Sequence, residues 1–305
     1  MTDAALPVPP APTEAVETPF ARFVAEFCES RVAVGALILV VLLALVSLLA
    51  PWLTPQNPYD MTQISILDNM LAPGERSLDG RLYLLGTDDQ GRDMLSAIIY
   101  GLRLSLFVAA SATVIALAVG LSVGVAAAYF GGRIDSVIMR VVDLQLSFPA
   151  ILIALILLSL LGTGIDKVII ALVTTQWAYY ARTVRGGALV ERRREYIEAA
   201  HCLALPKHRI IFRHLLPNCL PPLIVVATVQ VAHAISLEAV LSYLGVGVPI
   251  TEPSLGLLIS NGYKYILSGK YWVSVLPGIA LLITILLINL VGDHLRDQLN
   301  PRLKK

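Results

Sequence analysis

The hydrophobic residues of this chain fall into long runs separated by shorter polar segments. The first run, Val32–Ala50, contains no charged residue. At 1.5 Å per residue it is long enough to cross a hydrocarbon core of about 30 Å. Further apolar runs predict helices at 103–130, 137–161, 165–184, 215–243 and 272–292. The pattern therefore predicts an all-α membrane protein with six transmembrane helices.

Six spans place both termini on one side of the membrane, and the basic residues indicate which side. Of the 23 lysines and arginines, seven lie on the side opposite the termini: Arg76, Arg81, Arg92, Arg103, Lys167, Lys264 and Lys270. The remaining 16 lie on the side of the termini. Because cytoplasmic loops carry an excess of lysine and arginine, both termini are predicted to be cytoplasmic.

The spans divide the chain into five parts. A cytoplasmic tail, 1–31, is rich in Pro, Ala and Glu at its start and lacks the basic segment of a cleavable signal peptide. The first span, 32–50, is followed by an external loop, 51–102, that carries seven carboxylates. A core of five spans, 103–292, contains a basic cytoplasmic loop at 185–214, and a second cytoplasmic tail, 293–305, ends the chain.

The composition excludes several classes of protein. Hydrophobic residues make up 56% of the chain and charged residues 15%, which is unusual for a soluble domain. A net charge of +1 argues against a nucleic-acid partner, because phosphate binding needs a basic surface. The three cysteines are too few and too scattered for a disulfide framework or a zinc site, so we expect free thiols and no metal centre. No G-x-x-x-x-G-K-[ST] motif occurs, so the chain has no nucleotide site of that kind.

The loop at 185–214 predicts two short helices joined by a bend. Ile197, Ala200 and Ala204 share one helical face, at spacings of three and four residues. Pro206 disfavours helical backbone at Leu205 and suits the first turn of a second helix. The alternative interpretation is a basic loop that binds anionic lipid headgroups.

Motifs within and after this loop decide between the two interpretations. Glu198, Ala199 and Ala200, then Ala204, then Leu216 and Pro217 resemble the EAA loop of binding-protein-dependent ABC permeases. That pattern reads E-A-A, three residues, Gly, nine residues, I-x-L-P. Here Ala204 replaces the Gly that permits the bend, and His214 replaces the Ile. Pro206 is predicted to supply the bend instead. The resemblance implies that these residues form coupling helices that dock on an ATPase.

Other segments resemble the dipeptide, oligopeptide and nickel permeases of the same class, from the first span to the C-terminus. They are Leu85–Asp93 (LGTDDQGRD), Tyr100–Ser105 (YGLRLS), Ser147–Pro149 (SFP), Leu241–Gly247 (LSYLGVG), Glu252–Gly256 (EPSLG) and Gly292–Arg302 (GDHLRDQLNPR). Together they identify the chain as similar to the second of the two permeases in such importers. The implied fold is that of a type I ABC importer permease.

The resemblance also implies the assembly. It contains a homologous second permease, two cytoplasmic ATPases that bind ATP and magnesium, and an external substrate-binding protein. This chain would bind no cofactor and catalyse no reaction. The resemblance implies a location in the bacterial inner membrane. It also implies small peptides as the cargo, with nickel chelates, glutathione or opines as alternatives, and no residue of this chain selects among them.

Ionisable residues inside the predicted spans are few. His233 and Glu238, on the fifth span, either line the translocation path, bind each other, or meet a partner helix. Arg140 and Asp143 are predicted to form an ion pair three residues apart. On the external loop, the spacing of Thr87 and Gln90 predicts a capping box, with Asp88 or Asp89 capping a surface helix from about Gly91.

Two other classes of function remain as alternatives. Gly120–Gly124 matches the G-x-S-x-G pattern of serine hydrolases, so Ser122 and His233 suggest an intramembrane serine protease. The same residues match G-x-x-x-G, a pattern typical of close helix packing, which we favour. A passive channel is the second alternative, and it would transport without ATP.

Overall fold

The computed structural model describes residues 19–77 and 79–299. The predicted tail segment before residue 19, and the last six residues, lie outside the described residues. Within the described parts the chain is helical, and its only β structure is two isolated bridges, Arg76–Leu82 and Thr87–Asp93. The helices are α1 Pro19–Glu29, α2 Arg31–Leu48, α3 Ala50–Leu53, α4 Met94–Phe130, α5 Gly132–Ser147, α6 Ala150–Leu161, α7 Ile165–Glu191, α8 Glu195–Cys202, α9 Lys207–Arg209, α10 Leu216–Tyr243, α11 Leu255–Tyr263 and α12 Trp272–Leu299. A π-helical segment, Ile210–Leu215, joins α9 to α10.

Four of the described helical segments are long and apolar enough to span a membrane. They are α2, α4, the continuous helix Lys207–Tyr243 and α12, and the pair α5–α6 adds a fifth if it is counted as one broken span. The segment predicted as the fourth span is α7, whose 27 residues reach about 40 Å but include several charged and polar side chains. The multi-pass helical fold is confirmed, whereas the count of six stays a prediction.

The described parts of both predicted tails contain helix. α1 lies within the predicted tail, where Phe27 is buried and its ring packs edge-to-face on that of His294 at 5.0 Å. At the other end, α12 continues beyond residue 292 to Leu299. α1 folds because its apolar residues contact the end of α12, a contact that local composition does not reveal.

The third predicted span is broken at Pro149. α5 and α6 meet at an angle of 91°. Pro149 has no amide hydrogen for the helix ladder, and its ring forces the preceding Phe148 into extended backbone, with φ −93° and ψ 142°. The sequence predicts a kink here, and the structure has a right-angled break.

α4 begins earlier than predicted and has a different cap. It runs from Met94 to Phe130 without interruption, so the predicted surface helix and the predicted second span form one helix. The capping residue is Asp93, which accepts hydrogen bonds from the amide of Ser96 at 2.8 Å and its hydroxyl at 2.5 Å. The prediction of Asp88 or Asp89 as the cap is wrong. Asp88 is instead buried in an ion pair with Arg92, at 2.6 Å.

The centre of the molecule is the contact between α4 and α7. A Cβ atom on Gly120 would lie 2.5 Å from the Trp177 carbonyl oxygen, and one on Gly124 would lie 2.6 Å from that of Ala181. The two helices therefore approach as closely as their backbones allow, which confirms the packing interpretation of G-x-x-x-G. α10 packs on the same pair through buried residues such as Ile235.

Salt bridges also join α5 to α7. Asp143 pairs with Arg182, and Asp135 binds Arg185 at 2.7 Å. Among the described residues no salt bridge joins Arg140 to Asp143, so the predicted pair is wrong and Arg182 takes its place. Asp143 could pair with Arg140 on its own helix or with Arg182 on α7, and Arg182 is the closer of the two.

The 54–93 segment is folded and packs against one end of the helix bundle. Its Asp68 carboxylate is buried and accepts hydrogen bonds from Ser77 and Tyr83. It is fastened to the start of α12 by Trp272 Nε1, which donates to the Thr87 carbonyl at 3.2 Å, and by Lys270 Nζ, which donates to the Met70 carbonyl at 2.8 Å. Three of the carboxylates predicted to make this loop acidic, at positions 68, 88 and 93, are therefore internal.

Candidate functional site: the coupling hairpin

Residues 195–215 form a helical hairpin at the end of the bundle opposite the 54–93 segment. α8 is the first arm, and α9 with the π-helical segment is the second. The predicted loop begins later than expected, because α7 continues through residue 185 to Glu191. We call residues 195–215 the coupling hairpin. Its two-helix shape agrees with the sequence prediction.

The bend of the coupling hairpin lies at Ala204. This residue has φ 51°, a left-handed conformation that a Cβ atom disfavours. The amide of Leu205 donates to the carbonyl of Ala200 at 3.1 Å, the hydrogen bond of a Schellman motif. Glycine is favoured at this position of the motif because it adopts left-handed backbone easily. This explains why the related pattern has Gly at the position of Ala204.

Two details of the predicted bend are corrected by this geometry. Ala204 lies beyond the end of α8 and is exposed, so it does not share the buried face of Ile197 and Ala200. Pro206 does not make the left-handed turn. It caps the second arm with φ −64° and ψ 142°, and its carbonyl accepts from the amide of Arg209 at 2.9 Å. The predicted role of Pro206 at the start of the second helix is the part that the structure supports.

The inside of the coupling hairpin is a small apolar core. Ile197, Ala200 and Ile210 are buried, and Leu205 packs against them. Ala200 is only 4% exposed, so one of the two alanines of the E-A-A triplet is structural. A small side chain is needed here because the second arm lies directly against it.

The outside of the hairpin presents Glu198, Ala199 and Leu203. All three are exposed, and Leu203 is 74% exposed at the tip. An exposed leucine beside a small alanine and a carboxylate offers an apolar knob with a charged acceptor at its edge. Sequence reasoning missed Leu203, because its neighbours Cys202, Ala204 and Leu205 give no local sign that it is exposed.

Hydrogen bonds fasten the hairpin to α7 and α10, and they fasten the end of α7, just before the hairpin, to α4. Tyr196 donates from its hydroxyl to Glu191 Oε2 on α7 at 2.6 Å and accepts from Asn218 Nδ2 on α10 at 2.9 Å. Arg192 Nη1 donates to the carbonyl of Ala128 on α4 at 3.0 Å. Partial burial and the bond to Glu191 raise the pKa of Tyr196 to about 12. Local sequence does not reveal the bond between Asn218 and Tyr196 or that between Arg192 and Ala128, because their partners are 22 and 64 residues apart.

Leu216 and Pro217 mark the start of α10. Pro217 has no amide hydrogen to donate into the preceding turn, and that turn is π-helical over Ile210–Leu215. His214, at the position of the family's Ile, is half-buried, and its carbonyl accepts from Asn218 Nδ2 at 2.8 Å. These residues therefore join the hairpin to α10.

His233 and Glu238 lie on different faces of α10, and no contact between them is found among the described residues. Glu238 is fully buried and accepts hydrogen bonds from Ser105 on α4 and from Ser242, each at 2.7 Å. Of the three predicted alternatives, the contact with a partner helix is the one found for Glu238. His233 is exposed, so it is the one of the two that faces a partner, lipid or water.

The serine that suggested a protease has a local role. Ser122 Oγ donates to the carbonyl of Ala118, one turn earlier in α4, at 2.8 Å. The flanking Gly120 and Gly124 lie against α7 in continuous helix rather than in a strand–turn–helix.

The three cysteines, Cys28, Cys202 and Cys219, are free. In the described residues no group of three or more His, Cys, Asp and Glu side chains is arranged to hold a metal ion.

Comparison with known families matches most of the chain. The model of the binding-protein-dependent transport system inner membrane component matches residues 118–305, more than half of the sequence. The chain belongs to this family. The N-terminal TM domain of oligopeptide transport permease C matches residues 18–73, which include α1, α2 and the start of the 54–93 segment. The predicted permease class is thus confirmed at both ends of the chain.

Curated relatives are similar over almost their whole length. The di/tripeptide transport system permease protein DppC of Pseudomonas aeruginosa (strain UCBPP-PA14) is 36% identical over 294 residues, which are 96% of this chain and 95% of the relative. The dipeptide transport system permease protein DppC of Escherichia coli (strain K12) is 39% identical over 289 residues, 94% of this chain and 95% of the relative. These relatives are permease subunits, and this chain is a multi-pass membrane permease of the same family.

Solved structures support the fold. An inward-facing conformation of the MetNI methionine ABC transporter aligns with a TM-score of 0.56 and 23% identity, over 67% of this chain and 97% of that one. The permease fold predicted from the motifs is therefore confirmed.

Proposed function

We propose that this permease forms half of the translocation path of an ATP-driven importer of short peptides. Peptide cargo is supported by the names of the relatives, which are described as dipeptide and di/tripeptide permeases. In this proposal a homologous permease forms the other half of the path. Two cytoplasmic ATPases bind ATP and magnesium, and an external binding protein delivers the cargo. Both termini are cytoplasmic, as the distribution of basic residues predicts.

The coupling hairpin is the observation that carries the proposal. Its outer face, Glu198, Ala199 and Leu203, is of a size and chemistry suited to a groove on an ATPase. Ala199 allows close approach, Leu203 supplies apolar area, and Glu198 accepts charge-assisted hydrogen bonds. The hairpin is the part of this chain that meets the ATPase.

The connections of the hairpin explain how a movement of the ATPase reaches the membrane. Tyr196 binds both Glu191 on α7 and Asn218 on α10, so a displaced hairpin moves the ends of both helices. α10 then carries Pro221 and Pro222 within its first two turns, where two ladder hydrogen bonds are missing. The helix bends most easily there, and its remainder carries the exposed His233 into the path.

The test uses the complete transporter, reconstituted in lipid with its binding protein and peptide. Ala199→Trp adds bulk on the docking face, and Glu198→Lys reverses the charge. We expect the stimulation of ATPase activity by liganded binding protein to be lost in Ala199→Trp and reduced in Glu198→Lys, with less ATPase retained during purification. Ala200 is unsuitable for this test, because a large side chain there disrupts the hairpin itself.

Matched controls separate docking from folding. Thr251→Trp adds the same bulk at an exposed site on a different loop, and Glu29→Lys reverses an exposed charge on α1. Both should retain stimulation. If Ala199→Trp and Glu198→Lys behave like these controls, the hairpin is not the coupling element. Transport that continues without ATP would instead indicate a passive channel.

The cargo needs its own measurement. Uptake of a labelled dipeptide into cells that express the complete system should be inhibited by unlabelled di- and tripeptides. Inhibition by a nickel chelate, glutathione or an opine, without inhibition by peptides, would overturn the peptide assignment and leave the permease assignment in place.

A further inference from the structure

A groove of about 560 Å³ lies between α2 and α4, near the end of the bundle that bears the 54–93 segment. α2 contributes Ala44, Ser47 and Leu48 to its wall, and α4 contributes Arg103, Leu106 and Phe107. The volume lies within the range of about 300–1,000 Å³ that is typical of sites for small organic molecules. The groove is therefore large enough for a ligand of considerable size.

Arg103 places a positive charge at the membrane boundary. α4 has 37 residues and is about 55 Å long, so it exceeds a 30 Å hydrocarbon core by more than 20 Å. Arg103 lies nine residues after Met94, about 14 Å along the helix, where the headgroup region begins if the excess is shared between both ends. A long basic side chain at this level extends toward the headgroups.

The charge of Arg103 is not neutralised within the described chain. Its side chain is exposed, and no salt bridge or hydrogen bond to it is found among the described residues. Burial raises the pKa of Tyr59, the Glu252 carboxylate beside its hydroxyl raises it further, and Arg103 lowers it, so Tyr59 interacts with both charged groups. Tyr59 in turn packs edge-to-face on Tyr100 at 5.2 Å, and both rings line the groove. Arg103 thus has aromatic neighbours, and Glu252 acts on the same hydroxyl, but no described residue forms an ion pair with it.

The rest of the groove is apolar. Phe107 is 59% exposed and Leu48 is 65% exposed on opposite walls. The one hydroxyl of the α2 wall, Ser47 Oγ, donates to the Leu43 carbonyl at 2.6 Å and offers no free donor to a ligand. A ligand that fits has an anionic group at the mouth and a long apolar tail along the two helices.

We propose that this groove binds an acidic phospholipid, with its phosphate on Arg103 and one acyl chain between α2 and α4. A phospholipid supplies both the apolar chain that the groove walls match and the anion that Arg103 would bind. The proposal goes beyond peptide transport. It assigns α2 a second surface, away from its contact with α12.

The purified full-length chain is titrated with phosphatidylglycerol, and bound lipid is measured by native mass spectrometry. Diacylglycerol, which has the same chains without phosphate, and inorganic phosphate alone are tested in parallel. We expect phosphatidylglycerol to bind in preference to both. Arg103→Gln should weaken it about fivefold, as for an exposed charge pair, and Arg103→Lys should retain most of the binding. Arg133→Gln, an exposed arginine on α5, is the matched control and should bind like the wild type.

The groove itself is tested by Ala44→Trp, which fills it without changing charge. This variant should lose phosphatidylglycerol while keeping the melting temperature of the purified chain. Equal binding by wild type, Arg103→Gln and Ala44→Trp would overturn the proposal. So would a complete transporter without bound phosphatidylglycerol, in which a cysteine at position 44 crosslinks to the second permease. Loss of coupling in hairpin variants would leave this result unaffected, so the two proposals fail separately.

Discussion

Ser105 Oγ donates a hydrogen bond to Glu238 Oε2 at 2.7 Å and joins α4 to α10 across 133 residues of sequence. Ser242 donates to the other carboxylate oxygen at the same distance, and Ser254, which caps α11, also contacts the group. Glu238 thus connects two long helices with the segment that follows α10. Close backbone approach reinforces this junction, because a Cβ atom on Gly256 would lie 2.0 Å from the Ala239 carbonyl oxygen.

Glu238→Leu should destabilise the protein. The substitution leaves the Ser105 and Ser242 hydroxyls without their acceptor, at a cost of about 1–3 kcal/mol for each buried group. Glu238→Gln retains the shape and one acceptor oxygen and should have a smaller effect. The measurement is the thermal unfolding midpoint in detergent, with the exposed His233→Leu as control. If Glu238→Leu unfolds at the wild-type temperature, Glu238 does not hold this junction together.

Ala204→Gly should stabilise the coupling hairpin. A residue with a Cβ atom in left-handed conformation costs about 1–2 kcal/mol, and Gly removes that cost. Hydrogen exchange of the Leu203 and Leu205 amides, both bonded at the end of α8, should slow. Ala199→Gly in the middle of α8 is the matched control and should accelerate exchange, since Gly costs about 1 kcal/mol in a helix interior. Faster exchange in Ala204→Gly would contradict this account. Pro206→Ala should have less effect than either glycine substitution.

Gly120→Ala should disrupt the contact between α4 and α7. The added methyl group would lie 2.5 Å from both the Trp177 carbonyl oxygen and Tyr180 Cβ, so the helices must move apart. Overpacking of this kind costs about 1–3 kcal/mol. Gly278→Ala, also inside a helix but with no atom within 4 Å of the new Cβ, should be neutral or slightly stabilising. Equal thermal unfolding midpoints for the two variants would show that the close approach is unimportant.

The native cysteines test the orientation. Cys28 and Cys202 are exposed and Cys219 is buried. If both termini are cytoplasmic, a membrane-impermeant maleimide should leave all three unlabelled in intact cells and should label Cys28 and Cys202 in inside-out vesicles. A cysteine at the exposed position 61, in the 54–93 segment, should show the opposite pattern. Labelling of Cys202 in intact cells would reverse the proposed topology.

The sequence by itself determined the features that depend on periodicity and on neighbours along the chain. Apolar runs predicted the long helices. Pro149 predicted a kink between α5 and α6, and Gly120 and Gly124 predicted a close helix contact. The E-A-A triplet predicted the hairpin and its family. Each follows from local backbone chemistry or from a motif of fixed spacing. These properties do not require knowledge of which distant residues meet.

The tertiary structure decided which of several equivalent partners each polar group takes. Asp143 had a basic candidate on its own helix and binds Arg182, 39 residues away. Asp88 and Asp89 were the predicted candidates for the helix cap, and Asp93 takes that role. Arg92 pairs with Asp88, and Asp93 lies directly before the first residue of α4. Ala199 and Ala200 are identical residues, and only the packing of the second arm made one of them structural and the other a surface residue. Local sequence could not rank these choices, because their energies depend on burial and on contacts between segments far apart in the chain.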